Sequence, residues 1–361
     1  MADRFAQAHE ILKTRHLDSL LVTNPTNIFY LTGFRGVSPT EREALLVVKK
    51  PKNILITAKL YQAEAKKVAS NNLTVKIAAE RNEYEDFIKE SLNGIKRLGF
   101  EQDDLKFSEY KKFKKYHKDA KFIPTNNLIE DLRSIKSNDE IQYITRAQLI
   151  TQKVFNEIIK TIKIGQTEAE IAQRLKSITH HFTHQSLAFE PIVASGPNSA
   201  RPHYTTGKRK IKNGDILLFD FGATYKNYCA DFSRTVFIGK ANSQQQKIHE
   251  LVFNSQQAAI KTIKGETLAK KVFESSHKVF RKARLDRYFI HSLGHGIGLE
   301  VHEKPSLSRK SKDTLKPGMV FSVEPGLYFP WGGVRIEDLV LVLQHKGSII
   351  GKSAIFIEVK P

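Results

Sequence analysis

The stretch Ile216-Leu-Leu-Phe-Asp220-Phe-Gly222 is a strand-like apolar run interrupted by one carboxylate. Two later segments repeat the pattern, Met319-Val-Phe-Ser-Val-Glu324 and Val334-Arg-Ile-Glu337-Asp-Leu-Val340. An ionised carboxylate in apolar surroundings is unfavourable unless an opposite charge or a metal compensates it. Three such interruptions in the C-terminal half therefore predict a shared cation. Asp231 follows Asp220 after Phe-Gly-Ala-Thr-Tyr-Lys-Asn-Tyr-Cys-Ala, with a tight turn expected near Tyr225 to Asn227. In the hairpin registers that keep the two aspartates on one face they are opposite or diagonal neighbours. A register shifted by one residue leaves one buried and the other at the surface, so the turn decides between the readings.

His295 lies in Gly294-His-Gly-Ile-Gly298, where flanking glycines permit close backbone approach around a presented imidazole. Taken alone, a histidine among glycines reads as a loop residue. Joined to four carboxylates, it completes an oxygen-rich set suited to manganese, cobalt, iron or zinc rather than to a thiolate-rich structural zinc site. Two divalent ions would neutralise the four anions. Cys229, two residues before Asp231 on the same strand face, reads as a small buried side chain.

Composition narrows the classes further. The 361 residues, 40% hydrophobic and 27% charged, suffice for two domains with full cores. A single cysteine excludes an internal disulfide framework and fits the reducing cytoplasm. The opening Met1 to Glu10 lacks the apolar core of a secretory signal, and no run approaches a membrane span, so no membrane association is expected. The charge of +20 invites a nucleic-acid reading. The densest basic clusters, 208–212, 278–287 and 309–312, carry no RNA-binding signature and few interleaved aromatics, so no nucleic-acid partner is expected.

Short β-rich runs (Leu20 to Thr23, Ala44 to Val48, Ile54 to Thr57, Val75 to Ile77) alternate with helical segments at 60–69 and 83–96, which predicts a mixed α/β N-terminal domain. A helix ending near Ser134 and a capping box at Ser137-Asn-Asp-Glu140 set the boundary, giving domains 1–134 and 135–361. Beyond it come helices at about 139–162 and 167–181, strands, helices at about 243–264 and 267–282, and strands again. This order reads as an architectural duplication able to enclose a central site, without a residue-level repeat.

Phe189 to His203, Asp215 to Val236, His291 to Glu303 and Leu315 to Val342 resemble the creatinase/prolidase/methionine aminopeptidase family, whose catalytic fold is the pita-bread fold. Asn24-Pro-Thr-Asn-Ile-Phe-Tyr-Leu-Thr-Gly-Phe34 and Leu132 to Ser137 resemble the N-terminal domain and junction of its Xaa-Pro peptidase branch. The resemblance implies an α/β fold with an N-terminal creatinase-type domain before two pseudo-symmetric halves, each a helix pair on an antiparallel sheet. It also implies that Asp220 chelates one metal, Asp231 and Glu337 bridge both, and His295 with Glu324 completes the other. A metal-bridging hydroxide would attack the scissile carbonyl, with Glu324 shuttling the proton, and the cofactor would be two divalent ions, manganese foremost.

By the same resemblance His302 donates a hydrogen bond to the developing oxyanion, and His203 and His291 line the region of the leaving residue. Arg335 and Tyr328 orient the ligands or the water. Each histidine has a plain structural reading as well, and Arg335 one as a salt-bridge partner. The expected substrates are Xaa-Pro dipeptides or short proline-containing peptides, and a homodimer is expected. Many prolidases place an arginine where this chain has Ser306, so an anchor for a dipeptide's carboxylate would have to come from Arg309 or a lysine elsewhere. The alternatives are an aminopeptidase P acting on longer peptides, a creatinase-like hydrolase disfavoured by the full ligand set, and a non-catalytic binding module.

Overall fold

Apolar β-branched runs separated by amphipathic helices build the N-terminal sheet, as their alternation predicts. The computed structural model describes residues 4–36 and 42–360; the first three residues of the N-terminal stretch read above lie outside them. By contacts, the chain divides into units at Arg133 and Ser134.

In the first unit six strands lie in the order Leu73–Ala78, Asn53–Ala58, Ala44–Lys49, Ser19–Val22, Arg97–Glu101, Lys121–Thr125. Ser19–Val22 pairs antiparallel with Ala44–Lys49 and parallel with Arg97–Glu101, so the sheet is mixed. Leu21, Val47, Ile56, Leu98, Phe100 and Phe113 form its core. The Asn24-Pro-Thr-Asn segment starts the helix Pro25–Thr32: Asn24 Oδ1 accepts the N–H groups of Thr26 and Asn27 at 2.9 and 3.0 Å, and Gly33 ends it at φ +79°. The helix expected over 83–96 runs instead over Arg81–Ser91. Gly94, at φ +76°, takes a conformation that a helix cannot continue.

The second unit holds the two like halves. Helices Asn138–Ile159 and Glu168–Thr183 accompany the strands Ile192–Ser195, Ile216–Asp220 and Ser233–Ile238. Helices Ser243–Thr262 and Ala269–Lys282 accompany Gly294–Gly296, Val320–Val323 and Asp338–Val342. The capping box read from the sequence forms, with Ser137 and Glu140 bonding reciprocally, and Thr167 and Glu170 form a second at the start of the next helix. Each half has its own core, one around Phe155, Phe219 and Phe232, the other around Phe280, Phe321 and Val340. The hairpin Gly326–Phe329 with Gly332–Arg335 ties the halves together: Arg335 N–H donates to Thr235 Oγ1, and Thr235 O–H donates to Arg335 O, both at 3.0 Å. Glu337 N–H donates to Ser233 O at 3.1 Å, which brings the third interrupted run against the strand paired with the first. Among the described residues no helix is long and apolar enough to cross a membrane.

Inside the second half His249 is buried between Phe237 and Phe356, with Nε2 3.0 Å from Ile355 O. Burial, and secondarily the Arg234 guanidinium, pull its pKa down to about 4 against the pull of that carbonyl. A histidine with a depressed folded pKa contributes stability that is whole above its unfolded value near 6.5 and is lost as pH falls towards 4. His249→Phe should therefore flatten the acid limb of the stability curve across that window by on the order of 3 kcal/mol. Denaturant melts of both proteins at pH 7 and pH 4.5 check this; parallel acid losses refute it.

Candidate metal centre

The turn settles the hairpin register. Lys226 and Asn227 take φ +48° and +70° between the paired Tyr225 and Tyr228, a two-residue connection that needs positive φ at both positions. From there Cys229 pairs with Thr224, and Ser233 pairs with Asp220. Asp231, two residues before Ser233, is thereby the diagonal neighbour of Asp220, on the same face. Cys229 packs in a core with Ile144 and Ile297, its Sγ 3.6 Å from Leu299 O, and is not among the residues lining the cavity.

His295 is presented by a short strand where backbones touch. A Cβ on Gly294 would lie 1.9 Å from Ser322 O, and one on Gly296 would lie 2.0 Å from Lys304 O, so only glycine fits on either side. The imidazole Nδ1 is 3.1 Å from Gly296 O, and because a carbonyl only accepts, Nδ1 carries the proton. Nε2 then points among anions, 3.3 Å from Glu324 Oε1 and 3.6 Å from Asp231 Oδ2. A ring that donates Nδ1–H to the backbone while aiming Nε2 at carboxylates has the disposition of a metal ligand.

One cavity of about 430 Å³ is lined by Asp220, Asp231, His295, Glu324 and Glu337 together with His203, His291, His302 and Arg335. Asp231, His295 and Glu337 present donor atoms within 4.8 Å of one another. Asp220 and Glu324 stand beside this trio, Asp220 held by Arg335 and Glu324 by His295. Three carboxylate oxygens, Asp220 Oδ1, Asp231 Oδ1 and Glu337 Oε1, are buried without a hydrogen-bond partner. Buried polar atoms are almost always satisfied, so three orphan oxygens on residues lining the same cavity as His295 match a cation site. Four carboxylates face a single guanidinium, a charge imbalance of three that one dication leaves uncorrected.

The electrostatics agree. Burial, followed by the charges of Glu337, Asp220 and Glu324, pushes the Asp231 carboxyl well above the usual range. Glu337 is driven well up by burial and then by Glu324 and Asp220, and Asp220 is raised by burial against the pull of Arg335. Glu324 goes the other way: burial favours its neutral form, but the hydrogen-bonded His295, then His291 and Arg335, bring it down to about 2. His295 rises because Glu324 outweighs burial. Bound divalent cations would favour the ionised form of all four acids.

Arg335 is the hub of the surrounding network. Its guanidinium donates to Asp220 Oδ2 at 2.5 Å, to Ser233 Oγ at 2.8 Å, to Tyr328 Oη at 3.1 Å and to Pro202 O at 3.5 Å. Ser233 O–H in turn donates to Glu337 Oε2 at 2.8 Å. Tyr328, whose pKa burial pushes up to about 12, keeps its proton and donates it to His291 Nε2 at 2.9 Å. The other nitrogen, His291 Nδ1, donates to Ser292 O at 2.6 Å. Both nitrogens of His291 are thus engaged inside the protein, and the side chain holds Tyr328 as well as lining the cavity. His302 stacks edge-on against His295 with ring centroids 4.2 Å apart, its pKa lowered by burial and then by His295. Arg309 lies outside the cavity lining, 3.1 Å from His277 Nε2.

Two residues that the sequence reading passed over support the candidate ligands. Ser233 follows Asp231 by two residues and Ser322 precedes Glu324 by two, each sharing its carboxylate's face. Ser322 O–H donates to Glu324 Oε1 at 3.2 Å and accepts His295 N–H at 3.1 Å. The alternation that marked the carboxylates marks these serines too.

Residues 142–344 match metallopeptidase family M24, and residues 4–135 match the creatinase/prolidase N-terminal domain. The chain is 32% identical to the Xaa-Pro dipeptidase of Pyrococcus furiosus, covering 98% of this chain and 99% of that one. Among solved structures it superposes on an Xaa-Pro dipeptidase from Bacillus anthracis with a TM-score of 0.92 at 33% identity, covering 98% and 99% of the two chains. An X-Pro aminopeptidase from Thermotoga maritima gives a TM-score of 0.87 at 31% identity, covering 95% and 98%. With matches along nearly its whole length, the chain belongs to metallopeptidase family M24, a pita-bread catalytic unit behind a creatinase-type N-terminal domain and dependent on divalent metal.

Proposed function

We propose that this protein is an Xaa-Pro dipeptidase, cleaving the bond before proline in dipeptides and short peptides. Three orphan carboxylate oxygens in one histidine-lined cavity, two of them on residues clustered with His295, carry the reading. Asp220, Asp231, His295, Glu324 and Glu337 would hold two divalent ions, manganese foremost given the oxygen-rich set, with cobalt, zinc or iron as substitutes. Bound there, the ions supply Lewis acidity that makes water nucleophilic at neutral pH and polarises the scissile carbonyl.

The chain's own groups do the rest. Glu324, held ionised, takes the proton of the attacking water and passes it to the departing proline nitrogen. An unprotonated amide nitrogen is a very poor leaving group, so its departure depends on a delivered proton. His302, neutral at pH 7, offers an N–H to the developing oxyanion. His203 and His291 border the leaving residue. Arg335 and Tyr328 fix Asp220, Ser233 and His291 in place. The catalytic unit is residues 135–361, the working form a homodimer in the cytoplasm; a sedimentation mass matching the 41.1 kDa chain would refute the dimer.

One observation favours a second reading, an aminopeptidase acting on longer Xaa-Pro peptides. Arg335 is the only lysine or arginine among the cavity's lining residues, and its donors are committed to Asp220, Ser233 and Tyr328. Arg309 turns to His277 instead. A charged hydrogen bond to a terminal carboxylate would contribute about 1.5–3 kcal/mol, and the lining offers no free cation to make it. On this second reading manganese-loaded enzyme cleaves Ala-Pro, Ala-Pro-amide and Ala-Pro-Ala with kcat/KM values within about tenfold of one another. A hundredfold preference for Ala-Pro would restore strict dipeptidase action. Turnover of Met-Ala with none of the three would overturn the Xaa-Pro reading.

A further inference from the structure

Glu168 is completely buried at the first turn of the helix Glu168–Thr183, and its two oxygens collect five donors from a single loop. Oε1 accepts Ser195 N–H and Ser195 O–H at 2.7 Å each, and Asn198 Nδ2 at 3.0 Å. Oε2 accepts Tyr204 O–H at 2.8 Å and Gly207 N–H at 3.3 Å. Asn198 Nδ2 also reaches Tyr204 Oη at 2.9 Å, which closes the network on itself. This loop carries His203 to the cavity.

The residues on either side of His203 are fastened to different anchors. Pro202 O accepts Arg335, the guanidinium that holds Asp220, while Tyr204 is bound to Glu168. Farther back, Ser199 Oγ accepts Gly333 N–H at 2.9 Å, and Arg209 donates to Ser195 Oγ at 2.6 Å while pairing with Asp215. Glu168 is therefore the common acceptor that sets the loop's path on the side away from the metal ligands. None of the five candidate ligands donates to or accepts from it in these bonds.

We propose that Glu168 is the positioning residue for His203, acting on Xaa-Pro hydrolysis through the placement of that imidazole and not through the metal centre. The proposal rests on the reading of His203 as a substrate-contacting residue. An amide in place of the carboxylate keeps the shape but sets an NH2 against donors that now converge on an acceptor. A displacement of about 1 Å in a substrate-contacting group lowers rates by up to about 100-fold.

The test is a double-mutant cycle on manganese-loaded enzyme with Ala-Pro as substrate. Glu168→Gln should lower kcat/KM by about 10- to 100-fold at unchanged metal content, and should move the same parameter, kcat or KM, that His203→Ala moves. Introduced into the His203→Ala background, it should change kcat/KM by less than about twofold. Glu170→Gln, at the exposed capping box of the same helix, should stay within about twofold of wild type. Equal losses from Glu168→Gln in both backgrounds, loss of bound manganese, or no loss at all would each overturn the proposal. Should Glu168→Gln not fold, Tyr204→Phe removes one of the five bonds and runs the same cycle with a smaller loss. A His203→Ala enzyme with wild-type kinetics would instead sink the reading of His203, a failure distinct from an additive cycle.

Discussion

Glu324→Gln should lower kcat on Ala-Pro by about 10³-fold or more while leaving KM within a few-fold. The substitution is nearly isosteric. It keeps one oxygen and replaces the other with a group that cannot accept the proton of an attacking water. Glu324 is the one acid of the four whose surroundings hold it down, to about 2, because His295 at 3.3 Å outweighs the effect of burial. It is therefore the acid whose negative charge the protein itself maintains. Metal analysis separates its two roles: a variant that still binds manganese but hydrolyses slowly has lost the shuttle, and excess manganese should not restore it. Ser322→Ala, which removes the hydrogen bond to Glu324 Oε1 and an acceptor for His295 N–H, should cause a milder loss of about tenfold. Chelation of wild-type enzyme should abolish activity and manganese should restore it. A Glu324→Gln enzyme within tenfold of wild type would end the assignment.

Much of this centre was legible because strand-like apolar runs make a charged residue conspicuous. Asp220, Glu324 and Glu337 stood out in that way, and the cavity lining brings all three together with Asp231 and His295. The hairpin was ambiguous by one residue until the turn was known, since that single step sends a side chain to the opposite face. Lys226 and Asn227 resolve it through positive φ at both positions, a conformation that asparagine accepts readily but that a lysine does not advertise.

What stayed hidden were neutral or distant groups whose role exists only in three dimensions. Ser233 and Ser322 look like ordinary strand polar residues, although their spacing of two from a candidate ligand was available as a signal. Glu168 was read as part of a helix start, and nothing local marks it as the acceptor for donors 27 to 39 residues away. Arg309 illustrates the reverse error. Proximity in sequence to the Val301-His-Glu303 segment made it a candidate anchor, yet its side chain faces His277 and Phe273. The carboxylates announce themselves by their desolvation penalty, whereas the residues that orient them carry no such penalty and leave a fainter trace.

Arg335→Met should destabilise the metal-free protein by about 3–5 kcal/mol and make its melting temperature strongly dependent on manganese. Arg335 is 3% exposed, and its guanidinium is the only lysine or arginine cation lining the cavity with four acids, Asp231 and Glu337 buried and Asp220 and Glu324 half-buried. Removing it leaves Asp220 without its ion-pair partner at 2.5 Å, strips a donor from Ser233 and another from Tyr328, and fills the space with a side chain of similar reach. The uncompensated charge left on Asp220 outweighs the lost hydrogen bonds, because the replacement removes the attraction without returning the carboxylate to water. For a unit of this size such a loss corresponds to a fall in Tm of about 10 °C or more. Divalent cations bind the folded state and compensate the same acids, so manganese should recover a larger share of Tm in the variant than in wild type. Differential scanning calorimetry of both proteins, with chelator and with manganese, separates the contributions. If wild type and variant melt within about 2 °C of each other in chelator, the acids are already neutralised by protonation and the guanidinium is not what holds them. If both shift equally with manganese, Arg335 and the metal act on different charges, and the proposed sharing of Asp220 between guanidinium and cation fails.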